Sequence, residues 1–198
     1  MRPLTRRVLD VALRDCARWR AAGHRIGVAV NLSAADLLDW HLPAFIADRL
    51  AAHALDASVL ELEITESTLM VDPRRAAQAL HAPREQGCTT AGDDYGTGCS
   101  SLTYLQRLPA DVLKLDRAFV APLLTDERTR AIVRSTPGLA EALELRVTAE
   151  GVEEAATPVE LRRLGVESAQ GFHIARPMPV DALLGWLTDA PAPAASAP

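Results

Sequence analysis

Short apolar runs alternate with amphipathic stretches along nearly the whole chain, and this alternation restricts the fold to a parallel sheet covered by helices. Leu4, Val8, Val11, Ala12, Cys16 and Trp19 recur at helical spacing, which predicts a helix over Leu4–Ala22 that stops at Gly23. Ile26–Asn31 reads as a buried strand, and Ser33 can cap a helix from about Ala34 to His53. The same unit then recurs. Strands are expected at Val59–Thr65, Thr89–Asp93, Val112–Leu115, Leu145–Ala149 and Ser168–Phe172. Helices are expected at Arg74–Glu85, Ser100–Leu108, Thr129–Leu143, Pro158–Leu164 and Val180–Leu187. Thr89-Thr90-Ala91-Gly92 is a poor strand by propensity, and Pro83 and Pro137 are expected to interrupt their helices.

A parallel sheet of this kind is either an open doubly wound fold or a β/α barrel. After the first strand comes Asn31-Leu32-Ser33 rather than a Gly-rich phosphate loop, which counts against a dinucleotide fold. In a barrel, function gathers at the carboxyl ends of many strands. The polar residues of this chain fall there, so a partial β/α barrel of six strand–helix units is expected.

The strand ends offer Asn31, then Glu63, Thr65 and Glu66, then Asp93 and Asp94, then Lys114 and Asp116, then Glu150, and last Gln170. Each has a plain reading by itself: a turn residue, an exposed strand face, a polar loop. Lys114 is the least easily dismissed, because a lysine inside Leu113-Lys114-Leu115 is costly without carboxylate partners. Several carboxylates at one rim repel and take up protons unless a cation holds them. Oxygen donors with one amide suit magnesium or manganese rather than zinc, and His53, His81 and His173 lack paired metal-ligand spacing. Two such cations with a nearby lysine have the chemistry of phosphodiester hydrolysis.

Composition narrows the setting. A chain of 198 residues, 48% hydrophobic, can form one domain with a sizeable core. One domain over residues 1–188 is expected, with an Ala/Pro-rich disordered tail from residue 189 to 198. The net charge of −5 argues against a nucleic-acid partner. The basic start, Met1 to Arg7, is followed by Asp10, Arg14 and Asp15 rather than an apolar run, so neither a signal peptide nor a membrane segment is expected. Cys16, Cys88 and Cys99 match no zinc or disulfide pattern and read as free thiols of a cytoplasmic protein.

Six segments in register resemble the EAL family of cyclic di-GMP phosphodiesterases. They are Asn31-Leu32-Ser33, Glu61 to Ser67, Asp93 to Gly98, Leu113 to Phe119, Ala149 to Glu153, and Gln170-Gly171-Phe172. The resemblance runs from the first helix to about Leu187. It implies a modified TIM-type (β/α)8 barrel and hydrolysis of cyclic di-GMP to linear pGpG in bacterial signalling. It implies a first metal on Asn31, Glu63 and Asp93, and a second on Asp93, Asp94 and Glu150. By the same resemblance Lys114 contacts the catalytic water, Glu66 shapes the loop after Asp94, and Gln170 and Asp116 face the substrate. A homodimer is the expected assembly.

The family is named for a Glu-Ala-Leu strand whose Glu ligates metal and is followed by a phosphate-binding Arg. The sequence is expected to start after that strand, leaving six units of eight. Glu141-Ala142-Leu143 lies in a helical context and reads as an accident. Two functions therefore stand: the hydrolase, with little turnover by this chain, or a degenerate module that binds cyclic di-GMP or a protein partner.

Overall fold

The computed structural model describes residues 3–96 and 109–189. The expected helix over Ser100–Leu108, Cys99 and the segment 190–198 lie outside the described residues. The first unit is helix α1 (Pro3–Ala21) and strand β1 (Val28–Asn31), followed by α2 (Ala34–Leu37) and α3 (Leu42–Ala52). A 3-10 turn over Ala57–Val59 leads into β2 (Leu60–Thr65), then α4 (Glu66–Val71) and α5 (Pro73–Glu85). Next come β3 (Thr89–Tyr95), β4 (Val112–Leu115), α6 (Arg117–Val120) and α7 (Glu127–Ala142). The chain continues with β5 (Arg146–Ala149), α8 (Thr157–Arg163), β6 (Ser168–Ala169) and α9 (Val180–Asp189).

All five strand pairings are parallel, and the sheet order is β1-β2-β3-β4-β5-β6. Spatial order that follows chain order has no point at which the winding reverses, so the doubly wound alternative is excluded. The result is a half-barrel of the α/β class, with every strand carboxyl end on one rim.

Period-two alternation divides the sheet. Leu60, Leu62 and Ile64 of β2 face outward into a core shared with Leu9 and Leu13 of α1, Ile46 of α3 and Leu80 of α5. A second cluster joins Leu115 and Ala149 to Val133 of α7 and Leu161 of α8. Leu183 and Leu187 of α9 pack on the first cluster, and Arg18 ties α9 to α1 through Asp181 at 2.6 Å. The alternate residues, Ala29, Glu61, Glu63, Val112, Lys114 and Thr148, line a cavity of about 770 Å³ on the concave face.

Several expected helices are drawn differently in space. The predicted Ala34–His53 helix is two helices, because Pro43 opens α3 and Asp36 closes a tight cap on Ser33, accepting from its backbone N–H at 3.1 Å and its hydroxyl at 2.6 Å. Helices α5 and α7 run through Pro83 and Pro137 instead of stopping. Buried Pro83 packs inward in α5, and beside Pro137 the hydroxyls of Ser135 and Thr136 both donate to the carbonyl of Ile132. Tertiary packing outweighs the local cost in both. Strand β3 is longer than expected, with a register shift between Gly92 and Tyr95.

Cys16 and Cys88 are buried free thiols, and burial, with Asp56 adding to it, pushes Cys88 up to about 11. Among the described residues no helix is long and apolar enough to cross a membrane.

Because the core lies outside the sheet, Leu62→Ala is expected to cost about 2–5 kcal/mol in urea unfolding. Ala29→Ser, on the exposed concave face, is expected to stay within about 0.5 kcal/mol of the parent.

Candidate active site

Lys114 is set in the middle of β4, and its side chain points to the concave face where apolar neighbours would leave an ammonium uncompensated. It is only 3% exposed. Register supplies the compensation: Asn31 pairs with Glu63 across β1 and β2, and Lys114 pairs with Thr148 across β4 and β5, immediately below Glu150. The Lys114 Nζ donates to Glu63 Oε1 at 2.5 Å and meets Glu150 Oε1 at 2.5 Å, with Asp93 Oδ1 at 3.5 Å. Four strands thus deliver one ammonium and three carboxylates to one point. Asn31 Nδ2 donates to the other oxygen of Glu63 at 2.9 Å, and Gln170 Nε2 donates to Glu150 at 2.6 Å.

The electrostatics follow from crowding. Burial alone would depress the Lys114 pKa, but its hydrogen bonds to Glu150 and Glu63 outweigh it and the pKa is raised. Glu150 is pushed up by burial; Lys114 opposes the shift, and Asp93 and Glu63 add to it. Asp94 is pushed up by burial, then by Asp93 and Asp116. Its backbone is left-handed at φ 62°, uncommon outside glycine though least costly for Asp or Asn.

The remaining expected residues are close but differently engaged. Glu66 is buried at the first position of α4, and, after burial, it contributes to the raised pKa of Tyr95 at the end of β3. Asp116 caps α6, its carboxylate accepting from the Ala118 N–H at 2.8 Å. The structure therefore brings Asn31, Glu63, Asp93, Lys114, Glu150 and Gln170 into one connected cluster. Glu141 and Ala142 end α7, and Leu143 is its C-cap, so that Glu-Ala-Leu match has no strand context.

Two features have no role in the motif reading. Glu61 and Arg146 line the same cavity one layer below the cluster, and burial, with Glu63 next, raises the Glu61 pKa. Counting back by two from Glu63 and from Thr148 would have found both. Arg117, within the Leu113 to Phe119 segment, and Glu153, at the end of the Ala149 to Glu153 segment, form an ion pair of 3.0 Å.

The donor set fits a hard divalent cation in kind, being carboxylate and amide oxygens. Among the described residues no group of three or more His, Cys, Asp or Glu has the spacing to hold one, and the carboxylates are arranged around the ammonium instead.

The model of the EAL domain family matches residues 1–177. The chain belongs to the EAL domain family. It is 43% identical over 178 residues, 89% of its length, to the bifunctional diguanylate cyclase/cyclic di-GMP phosphodiesterase MucR of Pseudomonas aeruginosa, of which it covers 26%. It spans about a quarter of the length of the curated relatives it matches. Among solved structures, the PaMucR phosphodiesterase in complex with c-di-GMP superposes with a TM-score of 0.83 at 42% identity, covering 91% of this chain and 73% of that one. BlrP1 of Klebsiella pneumoniae, in a complex with manganese and cyclic di-GMP, gives 0.80 at 28% identity, covering 87% and 44%.

Lys114→Met removes the shared cation from buried carboxylates. In chelator it is expected to cost about 3–5 kcal/mol of stability in chemical denaturation, as loss of one member of a buried ion cluster does.

Proposed function

We propose that this EAL domain takes cyclic di-GMP at the rim of the half-barrel and carries the metal-dependent machinery that opens it to pGpG. The observation that supports this most is the buried convergence of Glu63, Asp93 and Glu150 on Lys114 at four adjacent strand ends. The relatives named for this activity, and the neighbour that holds cyclic di-GMP with manganese, support the substrate and the cation class.

In this reading Asn31, Glu63 and Asp93 hold one cation, and Asp93, Asp94 and Glu150 the other, magnesium or manganese. Divalent cations there supply an activated water and a clamp on phosphoryl oxygens. The protein groups do the rest. Lys114, already hydrogen-bonded to Glu63 and Glu150, presents an ammonium that orients the attacking oxygen and offsets developing charge. Asn31 and Gln170 hold Glu63 and Glu150 in place through their amides. Glu66 supports the turn after Asp94, and Gln170 and Asp116 border the substrate. The family's homodimer belongs to the same proposal, since β1 and β6 each pair on one side only among the described residues.

The 198 residues hold no Glu-Ala-Leu-x-Arg on a strand. Hydrolysis by this chain alone is therefore expected to fall well below the roughly 1 s⁻¹ typical of enzymes.

Calorimetry with cyclic di-GMP in manganese or calcium tests the reading. Binding is expected, and Asp93→Asn is expected to weaken it at least about tenfold, the loss seen even for outer-shell partners of a metal. Failure to bind with any cation contradicts the reading.

A further inference from the structure

The loop that carries Glu150 is gripped from both sides. On the β6 side, the Val152 N–H donates to the Gln170 carbonyl at 3.0 Å, and the His173 N–H donates to the Val152 carbonyl at 2.9 Å. This clasp depends on Gly171, where a Cβ would lie 2.2 Å from both the nitrogen and the oxygen of Val152. On the β4 side the contact is made by a side chain. Gly151 has φ +70°, and a Cβ there would lie 2.5 Å from Cγ and 2.6 Å from Cβ of Arg117. The stem of Arg117 thus lies directly across the Gly151 backbone, and its guanidinium goes on to Glu153 at 3.0 Å.

The anchor of this arm is firm. Arg117 follows Asp116, the cap of α6, and its carbonyl accepts from the Ala121 N–H at 2.8 Å. The held residue is one position from Gly151: Glu150, whose N–H donates to the Leu115 carbonyl at 2.9 Å and whose carboxylate meets Lys114. An ion pair with side chains 62% and 44% exposed contributes little to global stability. Its placement matters more than its strength, because an arginine stem can cover backbone while its head stays in water.

We propose that Arg117 and Glu153 form a strap over Gly151 that holds the Glu150 carboxylate at Lys114, making both of them positioning residues for the site. Their relevance to metal binding rests on the reading of Glu150 as a metal ligand given above; the strap itself does not.

The test is amide hydrogen exchange on the full 198-residue chain and on Arg117→Ala, Arg117→Lys and Glu153→Gln. Arg117→Ala and Glu153→Gln are expected to speed exchange at the Glu150 and Val152 amides by about fivefold or more, with Leu62 and Leu113 unchanged. Arg117→Lys, which keeps stem and charge, is expected to restore most of the protection. Unchanged exchange in Arg117→Ala, or equal acceleration throughout the sheet, overturns the strap. Manganese titration by calorimetry gives the second readout. Where the parent binds, Arg117→Ala is expected to raise the Kd about tenfold, and an unaltered Kd overturns the positioning role. A parent that binds no manganese sinks the metal reading, and the exchange data then decide the strap by themselves.

Discussion

A lysine ammonium buried in a β-strand is tolerable only where carboxylates come to meet it, and the site of this protein is organised around that demand. Lys114 obtains Glu63 from β2, Asp93 from β3 and Glu150 from the end of β5. None of these elements is local to β4 in sequence, so the cluster requires the whole sheet to be in register. Removing Lys114 would leave the buried carboxylates without their shared cation. Even with it, one ammonium among three carboxylates leaves an excess of negative charge, which adds to the raised Glu150 pKa. The amides of Asn31 and Gln170 hold Glu63 and Glu150 in place.

The winding of the sheet makes that convergence possible. Parallel strands laid down in chain order place every carboxyl end on one rim, and the concave face receives the alternate residues of each strand. The outward residues form the core with the helices, so stability and chemistry are separated by the pleat of the same strands. Asp111 shows how closely register is pinned. Its carboxylate accepts from the Thr90 N–H at 2.8 Å and the Thr90 hydroxyl at 3.0 Å, while its other oxygen takes Arg84 at 2.7 Å. This ties the start of β3 to the start of β4, and so fixes where Asp93 and Lys114 end up.

Most of the fold was legible because the strands are short apolar runs with polar ends. The sequence reading of Val112–Leu115 agrees with the structure residue for residue, and its one lysine marks the site. Other parts were illegible for physical reasons. A strand was expected at Thr89–Asp93 despite the weak propensity of Thr89-Thr90-Ala91-Gly92, but its continuation to Tyr95 was not: the segment lies between β2 and β4 and is held by Asp111. The short helix α4 is rich in Ser and Thr and forms because Thr65 caps it, accepting from the Thr68 N–H. Arg117 and Glu153 were visible as letters, but their crossing over Gly151 exists only in three dimensions.

The most direct measurement is anomalous scattering at the manganese edge from crystals grown with manganese and cyclic di-GMP. The expected result is a peak among Glu63, Asp93 and Glu150, with the Lys114 ammonium beside it. Crystals that show the nucleotide bound elsewhere, or these carboxylates still closed on Lys114 with no peak between them, would contradict the assignment of this rim as the metal site.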